Sequence, residues 1–210
     1  MVDVIWHGHC CFEVKGEEIT IITDPHDGES LGLPVPVAEP DAVLISHHHD
    51  DHANGRKLFE EPGVRVLDSP CHESVRGADI TGVKAYHDPE KGERLGPNVF
   101  FAFQVDGIRF SHTGDLGHTL DHERLAEIGG VDILFSGIGA SSQPNIELLR
   151  PRVVIPMHYH VEGIIFPWFR MPDVDDYVRG RPHLKLEGNA RTYSKEGLPG
   201  QLEYHVFKLM

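Results

Sequence analysis

A chain of 210 residues with 40% hydrophobic and 25% charged residues has ordinary globular composition, which excludes disordered and fibrous classes and suits one domain, 1–210, better than two. The formal net charge of -14, with Lys and Arg scattered singly, disfavours nucleic acid and anionic membranes as partners. The N-terminus lacks the basic and apolar regions of a signal peptide, no stretch has the length of a membrane span, and Cys10, Cys11 and Cys71 form no CxxC pair, so a soluble protein of the reducing cytoplasm is expected.

Taken in order, VDVIW, CFEV and EITIIT have the alternation of strands, with KGEE as a hairpin-like turn. The segment DPHDGESLGLPVPVAEP is too rich in Pro and Gly for regular structure, and DAVLIS after it is a buried strand. ANGRKLFEE opens a short helix. VRVLD, ITGVKAY, NVFFAFQV and IRFSH continue the strands, the last two joined by the hairpin signal Asp106-Gly107. HERLAEIG has helical spacing, with Leu125 and Ile128 on one face and Gly129 placed to stop it. VDILFS is a strand, NIELLR a short helix, and RVVIP a strand ending at Pro156. Residues 161–172, including IIFPWFRMP, are apolar and broken by proline, as expected of a loop or lid over a cavity. LEYHVFKL alternates like an edge or late strand. These elements predict a mixed α+β fold.

The chain holds 16 histidines, several times what average composition gives, and four polar clusters follow apolar strands. His47 to His52 follows AVLIS, His87 follows VKAY, His112 to Asp115 follows IRF, and His158 follows VVIP. A solvated histidine-rich turn accounts for one such cluster and not for three more. Within HHHDDH, His47 and His49 alternate toward one point in a tight loop while Asp51 and His52 face another nearby, so two adjacent divalent ions fit. Mixed imidazole and carboxylate donors favour zinc, with manganese or iron also accommodated. Two such ions would reverse the local field and admit a small anionic substrate.

The run His47-His48-His49-Asp50-Asp51-His52 resembles the HxHxDH signature of the metallo-β-lactamase superfamily, and AYHDPEKG, HTGD and VIPMHY match its later ligand segments in order. The turn GHCCF and the pair Asp24-Pro25 resemble the lactonase-like and N-acylphosphatidylethanolamine phospholipase D-like branches, and the likeness spans residues 4 to about 160. It implies an αββα sandwich with two divalent metal ions at one edge: His47, His49 and His87 on the first, Asp51, His52 and His158 on the second, and Asp115 bridging. It also implies a hydroxide between the ions as nucleophile, with Asp51 orienting or deprotonating the water and Asp115 essential to catalysis. The expected activity is hydrolysis of an ester, lactone or phosphodiester bond in a small metabolite. His49 stands where di-iron flavoproteins of this fold carry Glu, which disfavours redox chemistry, and class B lactamases differ at the bridging carboxylate. The alternatives are a nuclease of the same fold and a metal-binding protein without catalysis.

Other residues carry softer expectations. His9, Asp24 and His112 are candidates to orient the ligand imidazoles. His160 is a candidate substrate contact, and Trp168 and Phe169 are candidates for an apolar substrate wall or for core. His48, His72, His118, His122, His183 and His205 are expected to be exposed or merely hydrogen-bonded, and Cys10 and Cys11 to fill core.

Overall fold

The computed structural model describes residues 1–210. Strands β1 (Val2–Gly8), β2 (Cys11–Lys15), β3 (Thr20–Thr23), β4 (Ala42–Leu44) and β5 (Arg65–Leu67) lie side by side in chain order, with β13 (Ala190–Tyr193) antiparallel on the outside of β1. The second sheet has the order β12-β14-β11-β10-β9-β8-β7-β6, built from β6 (Cys71–Val75), β7 (Ala78–Tyr86), β8 (Pro97–Val105), β9 (Ile108–His112), β10 (Ile133–Gly137), β11 (Val153–Met157), β12 (His183–Lys185) and β14 (Glu203–Val206). Both sheets change from antiparallel hairpins to parallel pairs, at β3–β4 in the first and at β9–β10 in the second.

Strand alternation makes the layers. Phe101, Phe103, Ile133, Phe135, Val153 and Ile155 point between the sheets and meet Val4, Trp6, Phe12, Val14, Ile21 and Leu44 from the other side. The intervening residues Phe100, Leu134 and Val154 point outward, against Leu120, Ile128, Ile146 and Leu149. These come from or flank α2 (His122–Ile128) and α3 (Ser142–Leu149). On the outer face of the first sheet, Cys11, Ile22, Val43 and Ile45 pack with Phe59. Helical cover on both outer faces gives the αββα sandwich. Phe12 and Phe135 stack across the inner layer at 4.3 Å between centroids, and each fully buried phenyl contributes roughly 1.5–3 kcal/mol. Cys10 and Cys11 are both fully buried. No helix is long and apolar enough to cross a membrane.

The structure departs from expectation at several elements. The helix expected over ANGRKLFEE starts earlier: α1 (Asp50–Ala53) forms inside the histidine motif, with His52 N and Ala53 N both donating to His49 O, and only a 3-10 turn (Asn54–Leu58) follows. Strand β6 went unread because its side chains alternate only between half-buried and exposed, leaving no apolar signal in CHESV. Its hairpin to β7 turns on Arg76-Gly77, with φ of 45° and 80°, the same left-handed pair as Asp106-Gly107 but with an arginine where turn signals place Asn or Asp. Three- and four-residue strands β12 and β13 and helix α4 (Val174–Val178) are too short to show a period. β14 is a late strand but not an edge, since β12 pairs along its outer side. Strand β11 runs past Pro156 to Met157, where β14, which reaches only Val153 and Val154, no longer pairs with it.

Candidate metal centre

The parallel strands β3, β4, β9 and β11 all end at one edge of the sandwich, and the turns beyond them carry the polar clusters. Open sheets commonly hold ligands at this carboxyl end. His9 sits in the β1–β2 turn, Asp24 follows β3, His47 to His52 follow β4 and form α1, His87 follows β7, Asp115 follows β9, and His158 follows β11. His9, Asp24 and His158 all have left-handed backbones, with φ of 51°, 39° and 60°. A side chain bearing Cβ adopts this conformation at a cost, and such strain gathers at functional sites.

Two groups of donors converge. His47 Nε2 lies 3.1 Å from His49 Nδ1, and these two with His87 offer ligand atoms all within 4.8 Å of one another. Alongside, His52 Nε2 is 3.4 Å from Asp51 Oδ2 and 3.5 Å from Asp115 Oδ2, while His158 Nε2 is 3.6 Å and 3.3 Å from the same two oxygens. Asp115 Oδ2 also lies 3.1 Å from His87 Nε2, so this carboxylate stands between the two groups. The seven residues named from the sequence are thus together. His9, Cys10, His52 and His158 form a further compact group on the inner side.

Behind the donors is a layer that holds them. Asp24, fully buried, accepts from Ser46 N at 2.7 Å, from Ser46 Oγ at 2.6 Å and from His52 Nδ1 at 2.8 Å. His9 Nε2 is 2.8 Å from Asp51 Oδ2. His112 takes no place among the donors: its Nε2 donates to Cys10 O at 3.0 Å and its Nδ1 accepts from Gly114 N at 3.1 Å, fixing the turn before Asp115. Asn98 clamps the same turn, donating to Thr113 O at 2.9 Å and accepting from Asp115 N at 3.1 Å. Gly114, at φ 52°, passes so close to Asn98 and Ser46 that a Cβ there would come within 2.3 Å and 2.4 Å of them. Ser46 and Asn98 were missed by sequence reasoning. Each is a lone polar residue beside an apolar strand, and only its burial marks it as a positioning group.

Charge runs in one direction through the centre. Burial alone would raise the Asp115 carboxyl, but the imidazoles of His158 and His52 reverse that and hold it well below the usual carboxylate range. Burial likewise opposes ionisation of Asp51, and the facing imidazoles of His158, His52 and His9 outweigh it, so this carboxyl too lies well below the usual carboxylate range. Burial lowers His158, yet the facing Asp115 carries it up to about 9. Burial and the neighbouring His52 push His47 down to about 2, and burial with His158 takes His9 down to about 3. Two anionic carboxylates are therefore surrounded by neutral lone-pair donors and by imidazoles that take up protons as counter-charge. A divalent cation satisfies the same demand. The clearest sign is His52 Nε2, which is fully buried, faces the two carboxylates and has no hydrogen-bond partner. With Nδ1 committed to Asp24, this nitrogen has the disposition of a metal ligand held by a carboxylate behind it.

Residues 161–172 do form an irregular segment at this edge, with Phe166 at 5.6 Å from the His9 ring and 5.4 Å from the His158 ring. Trp168 and Phe169 line the cavity over the centre, so they belong to its wall and not to the core. His160 lies elsewhere, in a separate cavity with Trp6, Leu33 and Tyr159, because its backbone N–H is drawn to Pro172 O at 2.9 Å. His48, His72, His122 and His183 are exposed, whereas His205 is buried and hydrogen-bonded to Tyr193 Oη at 2.8 Å. His118, half-buried, is hydrogen-bonded to Thr119 O.

The chain also resembles known proteins along most of its length. The family model described as a beta-lactamase superfamily domain matches residues 3–158. The chain is 30% identical over 192 residues to a UPF0173 metal-dependent hydrolase of Nitratidesulfovibrio vulgaris, covering 74% of this chain and 79% of the relative. It is 29% identical over 195 residues to a UPF0173 metal-dependent hydrolase of Thermococcus onnurineus, covering 76% and 85%. Among solved structures, a Thermotoga maritima protein described as a Zn-dependent hydrolase of the metallo-beta-lactamase superfamily superposes with a TM-score of 0.77 over 100% of both chains, at 28% identity.

Proposed function

Because this chain belongs to the metallo-β-lactamase superfamily, among the UPF0173 metal-dependent hydrolases, we propose that it is a dinuclear metal-dependent hydrolase of a small metabolite, cleaving an ester, lactone or phosphodiester bond. The observation that carries this reading is the convergence of His52 Nε2, His158 Nε2, Asp51 Oδ2 and Asp115 Oδ2 at 3.3 to 3.6 Å from one another across the histidine–carboxylate pairs, beside the His47, His49 and His87 group. Ligand atoms around a four-coordinate zinc ion are separated by about this much, given metal–ligand bonds of about 2.0–2.2 Å.

In this reading His47, His49 and His87 would hold one ion and Asp51, His52 and His158 the second, with Asp115 available to both. The all-nitrogen-and-oxygen donor set favours zinc, with manganese and iron as alternatives. Bound there, such ions acidify water and polarise the oxygen of the scissile group. The protein's own groups do the rest. Asp24 and Ser46 fix the His52 ring, His9 fixes Asp51, and Asn98 with His112 fixes the turn that presents Asp115. Asp51 Oδ2 takes the His9 hydrogen bond, which leaves Oδ1 to accept a hydrogen bond from, and so orient, the attacking water.

A cavity of about 480 Å³ opens onto Asp51, His87, Asp115 and His158, which supports catalysis over a closed, purely structural metal site. A nuclease is disfavoured, since no Lys or Arg lines that cavity to meet a phosphate backbone. All three cysteines are unpaired, which supports a reducing, cytoplasmic setting.

Metal analysis of the purified protein with a panel of generic ester, lactone and phosphodiester substrates tests the proposal. Two equivalents of divalent ion and turnover are expected for the wild type, and loss of both tight binding and turnover for Asp115→Ala. A variant that keeps its ions and hydrolyses the matched substrate normally would refute the assignment.

A further inference from the structure

Ten large apolar side chains are exposed on this molecule, and three of them, Leu95, Trp168 and Phe169, line the cavity of about 480 Å³ above the proposed metal centre. Phe166 builds the aromatic side of it. Its ring meets Trp168 edge to face at 4.7 Å and Phe169 at 4.9 Å, and Phe169 in turn lies parallel to His158 at 5.9 Å. Backbone contact holds the segment in place, with Ile165 N donating to Leu31 O at 2.8 Å. Trp168 and Phe169 nonetheless remain 58% and 53% exposed, so about half of each residue is open at the cavity mouth although Phe166 and His158 back the rings. An apolar patch rimming a polar centre marks a binding surface.

The charge of the wall narrows the occupant. Outside the proposed ion ligands, the only charged residue lining this cavity is Asp50. The adjoining cavity of about 280 Å³, which shares His87, Leu95, Asp115, His158 and Phe169 with it, is lined by no Lys or Arg either. A carboxylate or phosphate on the flank of the substrate that lies away from the ions would meet Asp50 and no Lys or Arg. A planar ring would meet ring faces and edges, where the aromatic quadrupoles add to area burial.

We infer that Trp168 and Phe169, with Leu95 completing the rim, select an ester or lactone whose non-reacting flank is a neutral aromatic ring. This rests on the hydrolase reading for its chemistry but not for its recognition. Trp6 is buried and Trp168 exposed, and they are the only two tryptophans, so the solvent-exposed part of the tryptophan emission reports the proposed wall.

The test is titration of the ion-loaded protein with phenylacetamide, which is neutral and unreactive, against succinamate, which carries a carboxylate in place of the ring. Phenylacetamide is expected to produce a saturable change in the exposed tryptophan emission, absent in Trp168→Phe, with affinity weakened about tenfold or more in Phe169→Ala. Succinamate is expected to bind more weakly, through its carboxylate at the ions, and with an affinity that Phe169→Ala leaves unchanged. Absence of saturation by phenylacetamide, or equal binding of succinamate, overturns the inference. Turnover of methyl phenylacetate against monomethyl succinate, followed by proton release, separates the two readings. Ring binding without hydrolysis of any ester, lactone or phosphodiester sinks the hydrolase proposal alone, whereas hydrolysis that favours the succinate or a phosphodiester sinks this one alone.

Discussion

Asp24 Oδ2 accepts a hydrogen bond from His52 Nδ1 at 2.8 Å, in a pair that is wholly buried and joins the end of β3 to α1. The carboxylate fixes the ring so that Nε2, and not Nδ1, faces Asp51 and Asp115. Its charge also makes that nitrogen a better donor to a cation. Replacing it with the isosteric amide keeps the packing and the Ser46 contacts but removes both effects. Asp24→Asn is therefore expected to fold normally by circular dichroism and to lose about 10- to 100-fold in ion affinity, measured by competition with a chromogenic chelator. Unchanged affinity would mean that Asp24 serves the turn and not the centre.

The turn that presents Asp115 allows a sharper structural test. Gly114→Ala forces a left-handed alanine and drives its Cβ into Asn98 Oδ1 and Ser46. Neither neighbour can yield freely, because Asn98 is bonded to both sides of the turn and Ser46 to Asp24. Overpacking of this kind costs about 1–3 kcal/mol. Urea unfolding is expected to show a loss in that range together with reduced ion content, since the displaced turn carries Asp115 with it. Full stability with full ion content would show that the turn relaxes away from the contact.

How much of this was legible beforehand follows from which interactions are local. The strands ending in histidine or aspartate announce themselves because apolar alternation and a donor residue sit within a few positions of each other, as in AVLIS followed by His47. The HxHxDH spacing then singles out the donors of the proposed centre, and Gly129 ends α2 where its position in the chain says it should, with its N–H returning to Leu125 O. Ser46 and Asn98 were not legible, because their roles depend on partners from other strands: Asp24 for one and the 113–115 turn for the other. The left-handed backbones of His9, Asp24 and His158 were equally hidden, since nothing in a histidine or aspartate signals its φ angle. Phe166 was overlooked in favour of Trp168 and Phe169, although it is the ring on which both rest. The edge strands β6, β12 and β13 lack a buried face long enough to print a period.

Ion binding should be coupled to protons with a definite sign. Burial disfavours the charged form of His158, but Asp115 raises its pKa to about 9, so without a cation it is protonated at neutral pH. His87 and His52 are raised as well, against their burial, by the same carboxylate. A cation binds the deprotonated nitrogens, so protons must leave as it enters. Affinity is then expected to rise with pH through the neutral range and to level off above about 9. Calorimetric titration with zinc in two buffers of different ionisation enthalpy gives the number released. A buffer-independent heat at pH 7 would contradict the protonated state assigned to these imidazoles.

Far from the centre, Asp132 ties β10 to its surroundings and should govern acid stability. Its Oδ2 accepts from Arg109 N at 2.8 Å and Arg109 Nε at 3.3 Å, and it is also bonded by Lys195 Nζ. Burial acts to raise this carboxyl, but the Lys195 and Arg109 hydrogen bonds outweigh it and the pKa is lowered. A folded pKa below the unfolded value of about 3.9 means that the stabilisation is fully present above that pH and disappears as pH falls toward the folded value. Asp132→Asn is thus expected to be less stable than the wild type at pH 7 by about 1.5–3 kcal/mol, the range for a hydrogen bond to a charged group, with the gap closing below about pH 4. Thermal unfolding of both proteins from pH 7 to pH 3 checks this, and a gap that stays constant over the range would show that the side chain acts through shape alone.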